Sequence, residues 1–169
     1  NKRAKAGVAV SWQMEAEWEK GFAQAEMALD ENDYLPNLEY ADMIYLYCTQ
    51  SESSQECEGL LTTAIALYEK VLALKPGDPE GSLGLAKSYS LVGKNLEVGL
   101  GHAEAVRKLV PTDPEVNYLL GHIYLQMGKS DDALIYLLKA SKLTHNEPLL
   151  KLIRLDLVTI DAAYGDDFG

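Results

Sequence analysis

Apolar positions along this chain recur at three- and four-residue spacing, broken at intervals by proline, glycine and short polar stretches. That spacing puts side chains on one face of a helix. Ser11 to Asp30 carries Trp12, Trp18, Phe22, Ala25 and Leu29 in this register; Ser11 is placed to cap, and Glu15 adds first-turn charge. Asn37 to Thr49 predicts a further helix around Tyr40, Ala41 and Ile44, and Leu60 to Pro76 another around Ala64, Tyr68, Val71 and Leu74. The polar stretch Gln50 to Glu56 predicts an inserted loop near 50–58, roughly ten residues in place of a tight turn. After Pro148 comes a run of leucine, isoleucine and valine broken by Lys151, Arg154 and Asp156, which reads as a helix capping the end of the array.

The middle of the chain repeats itself. Pro79, Leu85, Ala86, Tyr89 and Gly93 recur as Pro114, Leu120, Gly121, Tyr124 and Gly128, an offset of 35 residues, and Pro148 follows Pro114 by 34. A period of about 34 residues is that of a helix-turn-helix array. Within one unit, Asp113 can cap and Pro114 opens the first helix. Gly128 supplies the left-handed turn, and a second helix from about Ser130 presents Ala133, Leu137, Ala140 and Leu143. The 79–113 unit is one residue longer, and the extra residue fits the turn near Asn95 and Leu96. Leu85, Tyr89, Leu120 and Tyr124 are expected in the core.

These residues resemble the tetratricopeptide repeat family, whose pattern has Leu-Gly and then Tyr in the first helix, Gly at the turn, Ala and a large residue in the second helix, and Pro at the junction. The 114–147 unit departs from it at Asn117, where the family favours Trp, and at His145, where it favours Pro. The resemblance implies an all-α, right-handed helix-turn-helix solenoid of about three repeats, with an N-terminal helix and a C-terminal capping helix. The expected organisation is a basic tail over 1–9 with Lys2, Arg3 and Lys5, one helical domain over 10–164, and a frayed acidic tail over 165–169. Because the chain starts at Asn1, a fragment or processed form is expected.

Composition narrows the role. Hydrophobic residues make up 47% and charged residues 24%, as in a folded globular chain. The net charge of −11 opposes contact with phosphate backbones, so no nucleic acid partner is expected. No apolar run reaches the roughly 18 residues of a membrane span. His102, His122 and His145 form no metal-binding pair, and no phosphate-binding loop is present. The acids Asp30, Glu31 and Asp33 lack calcium-loop spacing, and Asp167-Phe168-Gly169 stands without the remainder of a kinase signature. Neither a catalytic residue, a metal nor a cofactor is expected. Cys48 and Cys57 should flank a hairpin, where they either bridge or remain buried thiols. The thiol reading favours a cytoplasmic chain, and a bridge would favour an oxidising compartment.

The resemblance also implies where a partner sits. First-helix residues not used in packing line the concave face: Leu38, Asp42 and Tyr45; Leu83, Lys87 and Ser90; Tyr118, His122, Leu125 and Gln126; and, from the last helix, Leu152 and Asp156. The expected function is a non-catalytic scaffold holding a protein or peptide segment, basic or amphipathic in character, with Tyr118 as an anchor. The carboxylate clamp of some family members is not expected, because only Lys87 and His122 offer positive charge. The alternative is an oligomerising or helper domain of a larger enzyme or of a cell-envelope or secretion complex, with self-association left open.

Overall fold

A computed structural model describes residues 18–51 and 54–166, and among them are eight helices and no strand. They are α1 (Trp18–Ala28), α2 (Tyr34–Gln50), α3 (Ser54–Leu74), α4 (Pro79–Val92), α5 (Leu96–Leu109), α6 (Pro114–Gln126), α7 (Ser130–Leu143) and α8 (Glu147–Asp166). The expectations for the basic tail, for Ser11, Trp12 and Glu15, and for the last three residues lie outside the described residues. The chain divides into two compact units, Asn1–Val92 and Gly93–Gly169.

In the first unit each helix packs on the next, and α4 returns to α2. The core holds Met43, Ile44, Leu61, Ala64, Val71 and Leu85, all at helical spacing on their own elements. Trp18 joins Phe22, Tyr40 and Tyr47 in an aromatic cluster beside this core, with ring centroids 5.3 to 6.3 Å apart. The expected ten-residue insertion does not form. Residues 54–59 are the first turns of α3, so only three residues separate it from the end of α2. The polar side chains of Gln55, Glu56 and Glu58 are exposed, while Cys57 is buried. Cys48 and Cys57 are free thiols, and the Cys48 Sγ donates to the Cys57 carbonyl at 3.8 Å. Burial, and then the neighbouring Cys57, pushes the Cys48 thiol well above its ordinary pKa.

In the second unit α5 packs on α6, α6 on α7, α7 on α8, and α8 on α6. Leu120, Ile123, Ala133, Leu137 and Ala140 are fully buried. Gly121 lets α7 approach: a Cβ there would lie 2.7 Å from the Leu137 Cγ and 3.1 Å from its backbone nitrogen. Gly93 and Gly128 both have positive φ, +69° and +72°, at equivalent turns. The extra residue of the 79–113 unit is accommodated at Asn95, which adopts a left-handed conformation with φ of 52°.

Three contacts recur at matching positions. Asp33 and Asp113 cap α2 and α6, accepting from the Leu35 N–H at 3.2 Å and the Val116 N–H at 2.9 Å. Four residues on, buried Asn37 donates Nδ2 to the Asp30 and Asp33 carbonyls (2.9 and 2.7 Å), and buried Asn117 donates to the Pro111 and Asp113 carbonyls (3.2 and 2.6 Å). Tyr89 and Tyr124 each donate to a glutamate 20 residues earlier, Glu69 at 3.4 Å and Glu104 at 3.2 Å. Tyr89 is buried as expected, whereas Tyr124 is half-buried, with its ring stacked on Tyr136. At the start of α4, Asp78 accepts from the Gly81 N–H at 2.8 Å and pairs with Lys75 at 2.6 Å. Burial alone would raise its pKa, but the Lys75 and backbone hydrogen bonds outweigh it and hold the carboxyl below its ordinary range.

The last helix differs from a polar cap. Its inner face buries Ile153, Asp156 and Ile160, while Leu152, Leu155 and Val158 are exposed on the other side.

Candidate functional site

Helices α2, α3 and α4 line an open pocket of about 440 Å³ in the first unit. Asp42, Tyr45 and Leu46 come from one side of α2, and Glu80, Leu83, Gly84 and Lys87 from one side of α4. Helical spacing explains both sets, since residues three and four apart share a face. Tyr68 of α3 reaches between them. Its ring crosses α4 at Gly84, where any Cβ would overlap it, and its hydroxyl donates to the Asp42 carboxylate at 2.7 Å. Tyr68 is therefore buried while its polar end is satisfied at the pocket floor.

The charges in this pocket are unbalanced. Two carboxylates, Asp42 and Glu80, face one cation, Lys87, whose Nζ lies 6.0 Å from the centre of the Tyr45 ring. Asp42 keeps contact with solvent, yet the walls of the pocket withdraw enough water to raise its pKa. The charge of Glu80 adds to the rise; the Tyr68 hydrogen bond and Lys87 oppose it without cancelling it. Burial, followed by the adjacent Asp42 charge, also raises the Tyr68 phenol.

Of the six positions expected here from the sequence, four meet in the pocket: Asp42, Tyr45, Leu83 and Lys87. Leu38 does not line it, being 3% exposed and part of the core. Ser90 is also buried, one turn beyond the pocket-lining part of α4. Tyr68, Leu46, Gly84 and Glu80 were not anticipated. Glu80 was accessible from spacing, because it shares the helical face of Leu83 and Lys87; Tyr68 belongs to a second helix and has no such signal.

The second unit carries a separate polar face on α6. Tyr118 and His122 stack with centroids 5.7 Å apart, and the His122 Nδ1 lies 2.8 Å from the Asp156 Oδ2 of α8. Asp156 is buried, so it works as a positioning group for the half-buried imidazole rather than as an exposed contact. Gln126 is exposed at the end of the same face, Leu125 is half-buried against the core, and Leu152 is exposed on α8. No group of three or more residues suited to hold a metal ion occurs among the described residues. No described helix is long and apolar enough to cross a membrane.

Comparison with known proteins places the architecture. Residues 114–146 match the family model described as tetratricopeptide repeat. No curated protein matches the chain. Among solved structures, MamA of MSR-1 aligns with TM-score 0.69 and 17% identity over 95% of this chain and 87% of that one. A crystal structure of MamA aligns with TM-score 0.65 and 15% identity over 85% and 78%. TTC0263, a thermophilic TPR protein in Thermus thermophilus, aligns with TM-score 0.60 and 15% identity over 94% and 100%. Residues 114–146 thus carry a tetratricopeptide repeat, and the described residues adopt an all-α helical repeat fold like that of these solved structures. Proteins of this type are generally protein-interaction scaffolds and typically non-catalytic.

Proposed function

We propose that this chain is a non-catalytic scaffold that holds an extended or amphipathic partner segment, and that the pocket between α2 and α4 receives a basic side chain of that segment. The observation carrying this reading is the pocket itself, in which aromatic and aliphatic side chains lie beside two carboxylates. Tyr45, Leu46 and Leu83 suit the methylene stem of Lys or Arg, and Asp42 and Glu80 suit its charged head. The Tyr68 hydroxyl fixes the direction of the Asp42 carboxylate. Lys87 is a resident cation with which the incoming head shares the carboxylates. In the second unit, taken by itself, Tyr118, His122 and Gln126 are proposed as a separate contact face.

Fluorescence anisotropy with a labelled peptide of alternating Arg and Leu tests this, using the same peptide with Glu in place of Arg as control. The Arg peptide should bind and the Glu peptide should not. An exposed charge pair is worth up to about 1 kcal/mol, so Asp42→Asn should raise Kd roughly fivefold. Lys87→Met should tighten binding. Equal affinity for both peptides, or no effect of Asp42→Asn, refutes the reading.

A further inference from the structure

Helix α8 has two unlike faces. The inward face is buried, whereas Leu152, Leu155 and Val158 stand 46%, 64% and 65% exposed on the outward one. Apolar side chains grouped on one helix face mark an interaction surface more often than scattered ones do. The charges on this face say what fits it. Arg154 and Asp161 are both exposed and seven residues apart, about two turns, so they lie along one edge of the apolar row.

An antiparallel second copy, related by a two-fold axis, would meet that edge with its own equivalent. Arg154 of each copy would then face Asp161 of the other, closing two ion pairs with Val158 near the axis. A parallel copy would instead put the two charged edges on opposite flanks of the seam, leaving Arg154 and Asp161 unpaired across it. Lys151 is exposed and shares this face by helical spacing, and its long stem lets the ammonium reach the rim. Arg154 lies 3.6 Å from Glu147 within its own helix, an exposed pair of little energetic weight.

We infer that this face of α8 is a self-association surface whose occupant is the antiparallel α8 of a second copy. The helix has 20 residues and is about 30 Å long. One such face falls short of the roughly 1,000 Å² of a durable interface, so the dimer forms at high protein concentration.

Sedimentation equilibrium of the intact chain over a wide concentration range tests the inference. The mass should rise from the 18.6 kDa monomer toward twice that value. Leu155→Glu should hold it at the monomer without changing the melting temperature, because Leu155 supports no internal packing. Asp161→Arg should weaken association several-fold, and adding Arg154→Asp should restore it. Monomer mass at every concentration overturns the inference, as does wild-type association by Leu155→Glu. Failure of the double charge exchange to restore pairing overturns the antiparallel seating.

Discussion

Asn117 stands where a tetratricopeptide repeat favours Trp, and its surroundings give the substitution a physical reason. A Trp would fill space between helices; Asn117 instead ties the Pro111 and Asp113 carbonyls to the first turn of α6. Asn37 does the same for the carbonyls ahead of α2. Both Oδ1 atoms are buried without a protein hydrogen-bond partner, so part of the gain from Nδ2 is offset by their desolvation. Asn117→Ala would leave two carbonyls short of a donor in a dry junction. The expected loss is about 1–3 kcal/mol, read by urea unfolding, with the far-UV spectrum unchanged. Asn117→Asp removes the donor and adds a buried charge, so it should cost more. The sequence showed the departure from the family pattern and not its purpose, because the acceptors are backbone groups of the preceding junction.

At the scale of elements, the helix pair α6 and α7 depends on a missing side chain. Gly121→Ala gains about 1 kcal/mol of helix propensity, but its methyl would meet both the side chain and the backbone of Leu137. A rotamer change cannot relieve a backbone contact, so the helices must separate, at about 1–3 kcal/mol. Thermal unfolding should therefore show Gly121→Ala to be net destabilised by up to about 2 kcal/mol, although Ala is the better helix former. The same change at Gly101, where a Cβ meets nothing within 4 Å, should be stabilising. Helix positions were legible for a related reason: proline and glycine mark where the chain must turn, and their period survives in Pro79, Gly93, Pro114 and Gly128. The first turns of α3 were misread as a loop because polarity outweighed periodicity. Cys57 extends the stripe of Leu61, Ala64, Tyr68 and Val71 at spacings of 4, 3, 4 and 3, and that stripe was the available signal. The pocket was half legible, since its α2 and α4 walls follow helical spacing while Tyr68 reaches it through the notch at Gly84.

For the whole molecule, the pocket sets binding against stability. The chain carries a net charge of −11, which speeds encounter with a basic segment and already makes each further acid unfavourable to the folded state. Asp42 adds to that cost. Its folded pKa is raised, chiefly by burial, above the unfolded value near 3.9. Folding therefore favours the protonated form, and the stability this group contributes is fully present below about pH 4 and is lost as pH rises through the folded pKa. At neutral pH the ionised carboxylate is a burden that Asp42→Asn removes while leaving an oxygen for the Tyr68 hydroxyl. The variant should melt higher than wild type at pH 7, and the difference should vanish near pH 3. Because Asp42 keeps contact with solvent, the gain should stay below about 1 kcal/mol. The same variant should bind the Arg–Leu peptide more weakly. A carboxylate kept for packing would lose stability on neutralisation; one kept for a basic ligand should gain stability and lose affinity. Melting and anisotropy measured on one preparation separate the two, and lower stability with unchanged affinity would assign Asp42 to the fold rather than to the partner.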